Sequence, residues 1–468
     1  MFTTLLGRHR PSAHPGKKIG AAATGFAMPD RRAPRTAPRD TSTHLPLMDA
    51  ALRPVTEATP ETHLCRETIL SRDQHIAAYQ FMLREGTRNR IRSSGLHIRH
   101  AYTELLVRNV AQIAAGQLPG QRLVFVAVPD SFLGHPSLEL LPRDRTVLTL
   151  EHAGDTEPAF AAAVPEHLTR LRQAGIRIAL PAPESEPAFA ALQDLADVIV
   201  LDAGELDAES GLRLADRIRA EAPQAALLVR NLAGPEDFRF LHALGASYFQ
   251  GSFITRRENW SDRELPPNAA RLADLIARLR NDGDTSEITA LIKQDAALTV
   301  RLLRYINSAA NGLPNPVSSI EHAFMLLGRG ALQRWLTMLL CSSGSGRGRV
   351  PAVLETALAR ARMMEQLAER KNPAVREALF LTGLLSLIDI ILQVSLERAM
   401  TSLAVDPAIQ AAVLRGEGPY AAALELALAC ESDDALRIRQ AAGRCALSPE
   451  RATSLHFEAL AWAWAVQN

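Results

Sequence analysis

The sequence predicts an α/β plus all-α chain: a modified TIM-type (βα)8 barrel followed by an all-helical bundle. Three observations carry this. Between about residues 62 and 258, short and almost wholly apolar runs alternate with amphipathic ones. Beyond about residue 264 the apolar residues recur at helical spacing instead. Residues 1–58 differ from both, being rich in Pro, Arg, Thr and Ala without periodic apolar surface.

The first segment carries eight Lys or Arg among its first 40 residues against two Asp, and no apolar h-region. That excludes a secretory signal, and Arg31-Arg32 lacks the apolar stretch that a twin-arginine signal needs. The composition predicts a disordered, solvated tail. A basic arm for an acidic partner is the alternative, and Met28 or Met48 would allow a later start.

Strands are expected near Thr68 and at about 76–83, 122–128, 146–150, 176–180, 198–201, 226–229 and 247–249. Helical runs lie between them at about 98–115, 159–174, 187–195, 209–221 and 235–244. Apolar strands separated by amphipathic helices argue for a parallel sheet buried on both faces. Eight of them fit a closed barrel better than an open sheet.

The helical half, 264–468, is centred on residues 287–328. Leu291, Ile292, Leu298, Leu302, Leu303 and Ile306 give a helical face interrupted at Gln294-Asp295. Asn311-Gly312, with Pro314 and Pro316 beyond, signals its stop. A second helix should bury Ile320, Ala323, Phe324, Leu326 and Leu327. Residues 342–349 (SSGSGRGR) read as a loop; no strand precedes them and no GK[ST] is present, so a phosphate loop is not indicated. Further helices are expected at about 353–370, 374–399, 407–415, 420–430, 433–441 and 449–466. The last carries Leu455, Phe457, Leu460, Trp462 and Trp464, enough to seal the bundle. Residues 255–267 (TRRENWSDRELPP) join the halves, and Trp260 is expected to anchor this linker and fix the orientation of the two domains.

Composition narrows the function classes. With 47% apolar and 22% charged residues the chain has the profile of a soluble globular protein. A net charge of +1 gives no electrostatic footprint for nucleic acid or a membrane surface. The most apolar run, 379–396, contains Asp389 and Gln393 and is bounded by Arg376 and Arg398, so it reads as a buried helix. Cys65, Cys341, Cys430 and Cys445 lack CxxC spacing. Reduced thiols and a cytoplasmic location are expected.

Two resemblances sharpen this. Ala78-Tyr79-Gln80-Phe81-Met82-Leu83-Arg84, the 176–202 region and the YFQG of residues 248–251 resemble a degenerate EAL domain over about 62–258. That family is a modified TIM barrel that hydrolyses cyclic di-GMP with metal ions at the C-terminal strand ends. Leu265-Pro266-Pro267, Ile292-Lys293-Gln294-Asp295, the LLRYINSA of residues 302–309 and Leu327-Gly328 resemble the HDOD domain, an all-helical signalling module related to the HD phosphohydrolases. Ala296 stands where that family usually has Pro. EAL followed by HDOD is a recurring bacterial architecture.

Hydrolysis through two divalent ions about 4 Å apart needs several converging carboxylates, which in a barrel must sit at the C-terminal strand ends. Those ends offer Gln80, Ala127, Leu148, Pro181, Ala182, Val200 and Arg230, and among acids only Glu151 and Asp202. By the EAL resemblance, Gln80 replaces the signature Glu, Ala127 a metal-binding Asn and Leu148 a metal-binding Glu. Pro181 and Ala182 replace the paired Asp, Val200 the catalytic Lys, and Arg230 a further Glu. A fixed cation at Arg230 would also repel a divalent ion. Arg84, Asp202 and Gln250 match positions that touch or border the ligand, and Arg84 with Arg230 could pair with phosphates. The alternative is that Arg84 and Asp202 brace the barrel mouth and that the YFQG segment is a packing signal.

In the helical half Ser386 and Leu387 take the His-Asp positions, and only His322 and His456 remain as histidines. Asp389 is expected to pair with an Arg or satisfy a helix end, and His322 to cap or pack. No metal, cofactor or enzymatic activity is expected in either half. The sequence thus implies an inactive signalling scaffold acting through protein partners. A non-hydrolysing cyclic di-GMP receptor is the alternative, and a residual phosphodiesterase a third reading. A homo-oligomer is compatible with this sequence.

Overall fold

The computed structural model describes residues 62–85, 95–116, 122–154, 158–183, 185–205, 213, 217, 222–308, 316–342, 348–368, 372–432 and 434–467. The expected tail lies outside them, as do Asn311-Gly312, Pro314 and most of the expected 209–221 helix.

Eight strands close a barrel in sequence order. They are β1 (Thr62–Ser71), β2 (Ile76–Glu85), β3 (Leu123–Pro129), β4 (Thr146–Glu151), β5 (Arg177–Pro181), β6 (Val198–Asp202), β7 (Ala226–Arg230) and β8 (Tyr248–Gln250). β2 through β8 run parallel, while β1 is antiparallel to both β2 and β8. Thr62 therefore pairs with Glu85, on the same rim where the parallel strands end.

The period of two explains why these runs read as continuously apolar. Ile69, Ala78, Phe125, Val147, Ala179, Val198, Val200 and Leu228 fill the barrel interior. Their neighbours, among them Tyr79, Val124, Leu148, Ile178, Ile199 and Leu227, face outward into a second core. β8 ends at Gly251, whose φ of 149° suits glycine and where a Cβ would strike the Leu232 backbone.

Around the parallel strands lie α1 (Leu96–Gly116), α2 (Pro158–Gln173), α3 (Pro235–Ala243) and a 3-10 segment, Pro187–Leu195. The expected 187–195 helix is thus 3-10 rather than α. Gln193 Nε2 donates to Pro181 O and Phe189 O, drawing the tighter coil onto the end of β5.

The C-terminal half comprises α4 (Pro267–Arg280), α5 (Thr285–Lys293), α6 (Ala296–Ile306), α7 (Ile320–Ser342), α8 (Val350–Gln366), α9 (Pro373–Leu385), α10 (Ile388–Leu392), α11 (Leu396–Ser402), α12 (Pro407–Gln410), α13 (Ala421–Glu431), α14 (Ala435–Arg444) and α15 (Pro449–Gln467), with a π turn, Ala411–Arg415, after α12. The helical run at 287–306 is two helices: Asp295 accepts from Leu298 N and so caps the start of α6. The expected 374–399 helix is three, broken where Gln393 turns left-handed and Ser395 caps α11. In α7, Ile320, Ala323 and Phe324 are buried, but Leu326 is 48% exposed beside Met325 at 75%. The non-helical backbone of Gly328 bends α7 just after them.

The two halves share a core. The outer face of β1 is covered by α13, α14 and α15, and β2 is packed by both α14 and α1. Phe81 of β2 meets Phe457 of α15 with ring centroids 5.9 Å apart. One apolar cluster runs from barrel to bundle and includes Trp260, which is 7% exposed. No helix among the described residues is long and apolar enough to cross a membrane.

Candidate functional site at the barrel mouth

A cavity of about 590 Å³ opens at the C-terminal strand ends. Gln80, Ala127, Glu151, Pro181, Val200, Asp202 and Arg230 all line it, so the structure brings together seven of the positions singled out from sequence. Two others do not reach it. Leu148 and Ala182 face the outer core, because alternation along β4 and β5 points Thr149 and Pro181 inward instead. The reading at β4 is therefore one residue out. Arg84 ends up near the tip of β2, and its side chain is not among those described. Gln250 is 1% exposed in the wall, and its amide donates to Glu67 of β1.

Glu67 carries no motif in the sequence, and the β1–β2 pairing places it opposite Gln80. The other missed residues come from loops and α1. Arg99 donates to Ala153 O at 2.9 Å and lines the cavity with Tyr102 and Thr103. Asp130 is buried just past β3 and accepts from Ser131 N, Ala153 N and His152 Nδ1, the last at 2.8 Å. That bond orients the His152 ring at the cavity wall.

The acids present do not fit a two-ion centre. Glu151, Glu186 and Asp202 line the cavity, Asp202 accepting from Gly204 N and Asn231 Nδ2, while Glu67 is engaged by Gln250. Gln80, Ala127, Thr149, Pro181 and Val200 supply no carboxylate, and Arg230 places a cation on the same wall. Among the described residues no three His, Cys, Asp or Glu side chains converge as metal ligands. Gln80 Oε1 and Arg230 Nε are buried without a hydrogen-bond partner, although both residues line the cavity.

The corresponding place in the helical half is filled by ion pairs. Ser386 Oγ donates to Gly383 O at 2.7 Å and accepts from Arg360 Nη1 at 3.0 Å. Arg360 also grips Glu431 through two bonds of 2.7 Å. Asp389 pairs with Arg257 at 2.7 Å, and burial raises its carboxyl above the usual range against the pull of that cation. His322 is exposed and neither caps nor packs: Ser319 Oγ takes its backbone N–H, because the helix starts earlier, at Ile320. His456 is buried against the barrel, its Nε2 facing Arg66 Nε at 3.2 Å and Nη2 at 3.0 Å. Burial, with Arg66 and Arg360 nearby, holds its imidazole well below the usual 6.5.

Fold and comparisons define the class: a closed eight-stranded barrel followed by helices that match the HDOD domain model over residues 264–415. The chain is 23% identical over 385 residues to Cyclic di-GMP phosphodiesterase CdgJ of Vibrio cholerae, covering 82% of this chain and 88% of that one. It is also 23% identical to the uncharacterized protein YuxH of Bacillus subtilis, over 85% of this chain and 97% of that one. Solved structures similar to it include YkuI of Bacillus subtilis, an EAL-domain protein in complex with substrate c-di-GMP and calcium (16% identity, TM-score 0.36, 52% of this chain and 74% of that one). An EAL domain protein of Listeria monocytogenes is another (14% identity, TM-score 0.34, 42% and 88%).

Proposed function

We propose that this chain is a non-catalytic, cytoplasmic signalling scaffold that works through protein contacts of its barrel and its HDOD helices. The observation that carries this reading is the composition of the mouth. At the strand ends where metal-dependent hydrolysis needs convergent carboxylates, the cavity is lined by Gln80, Ala127, Thr149, Pro181, Val200 and Arg230, and its acids, Glu151, Glu186 and Asp202, form no metal-ligand cluster among the described residues. A guanidinium in that wall opposes a divalent ion by direct repulsion. In the helical half, Ser386 and Arg360 occupy space that a His-Asp metal pair would need.

A second reading is favoured by the cavity itself. Its volume of about 590 Å³ is that of a small-molecule site. Gln80 and Arg230 bring an amide and a guanidinium to its lining. On this reading the barrel holds cyclic di-GMP without cleaving it, Arg230 and Arg84 facing the phosphates and Asp202 and Gln250 shaping the wall.

One experiment separates the readings: titration calorimetry and a hydrolysis assay with cyclic di-GMP, each with and without magnesium or manganese. The scaffold reading expects no hydrolysis and no binding heat, and the receptor reading expects metal-independent heat alone. Turnover above a heat-killed control, abolished by EDTA, would overturn both. Gln80→Glu alone should not create activity, since the other carboxylates remain absent.

A further inference from the structure

Strand β2 belongs to two places at once. Gln80 and Met82 face the mouth cavity. Tyr79 and Phe81, on the opposite face, are buried against the helical half. Tyr79 Oη donates to Glu355 Oε1 of α8 at 3.0 Å, and Phe81 packs on Phe457. Met82 reaches both, since it also packs against the helical cluster that contains Met363, Met364 and Leu426.

The contact is built from buried charge. Arg122, at the foot of β3, grips Glu355 through both guanidinium nitrogens and donates to Tyr79 Oη at 2.7 Å. Arg66 of β1 lies over the Tyr79 ring, 4.8 Å from its centre, and bonds His456. The covering helices α13 to α15 lie beyond residues 264–415, so the HDOD match does not account for them.

We propose that β2 couples the mouth cavity to the helical half: a change of packing at Glu355, His456 or Phe457 alters the cavity wall, and filling the cavity alters those helices. Adjacent residues of a strand share a rigid peptide unit, so a backbone displacement at Tyr79 is passed on to Gln80. The close-packed interior on either side leaves little room to absorb such a shift locally. This inference goes beyond the scaffold and receptor readings, because it concerns the walls of the cavity and not its occupant.

Hydrogen exchange on the full chain tests it in both directions. Glu355→Gln weakens the charge contact, and Tyr79→Phe removes a single hydroxyl in case the first variant folds poorly. In either variant, exchange should rise roughly fivefold or more in β2 and in the mouth segments after β3 and β4. In reverse, Ala127→Trp fills the cavity and should change exchange by a similar factor in α8 and α15. Faster exchange confined to α8 and the foot of β3, with the mouth unchanged, would overturn the proposal. So would an Ala127→Trp chain whose α8 and α15 exchange as in the parent.

Discussion

His456 shows how much one buried side chain can set. It is 2% exposed, it accepts from Arg66, and a second guanidinium, Arg360, lies near. Its folded pKa is depressed, so the native state stays neutral where the unfolded chain takes up a proton. Stability is therefore full above about pH 6.5 and falls as the pH drops below that value, at up to roughly 1.4 kcal/mol per pH unit for this one group. Urea midpoints of the parent and of His456→Gln, compared between about pH 7.5 and about pH 5.5, read this directly. Gln keeps an acceptor for Arg66 but takes no proton, so its midpoint should depend less on pH. Equal slopes for the two proteins would remove His456 from the pH dependence. The sequence could not flag this residue, since a lone His on a C-terminal helix carries no signal until its barrel partner is known.

At the level of elements, period and punctuation carried most of the information. The parallel strands were legible because residues such as Val126, Ile178 and Ile199 must be apolar on both faces. The barrel's exception, an antiparallel β1, was not, and neither was Glu67, which its pairing sets opposite Gln80. Periodicity also failed to set β4, where every residue from Thr146 to Leu150 is buried, so no polar alternation separates Leu148 from Thr149. The breaks inside 374–399 were hidden for a similar reason: the run has no Gly or Pro at Gln393, where the chain turns. In the mouth, six positions aligned from motifs converged, whereas Arg99 and the Asp130–His152 pair come from segments with no motif.

The linker shifts in meaning as well. Trp260 is buried as expected, yet it does not orient the halves alone. Arg257 holds Asp389, Arg349 holds Glu258 at 2.7 Å, and Arg398 holds Arg263 O at 2.7 Å. Trp260→Ala should cost about 3–5 kcal/mol while leaving the small-angle scattering profile of the folded protein unchanged. A larger radius of gyration at full secondary structure would show that Trp260 sets the domain orientation after all.

For the whole molecule, a shared core means shared stability. The outer face of β1–β2 carries Tyr79 and Phe81, which meet Glu355 and Phe457 of the C-terminal helices. Stripped of them, the barrel exposes this strip and leaves Arg122 and Arg66 without Glu355 and His456. Removing one side of a buried ion pair is strongly destabilising. The full chain should therefore lose barrel and bundle signals in one coincident denaturant transition. A chain ending at residue 263 should not fold. Two resolved transitions, or a folded monomeric barrel fragment, would contradict the shared core.

The reversed direction of β1 has a practical corollary. Because Thr62 sits beside Glu85, the polypeptide enters its fold at the cavity's own rim. A fluorophore, affinity tag or tether attached at Thr62 itself reports from the barrel end where the cavity opens. Labels meant to leave the mouth undisturbed belong elsewhere, and a label meant to sense it has a ready attachment point at the start of β1.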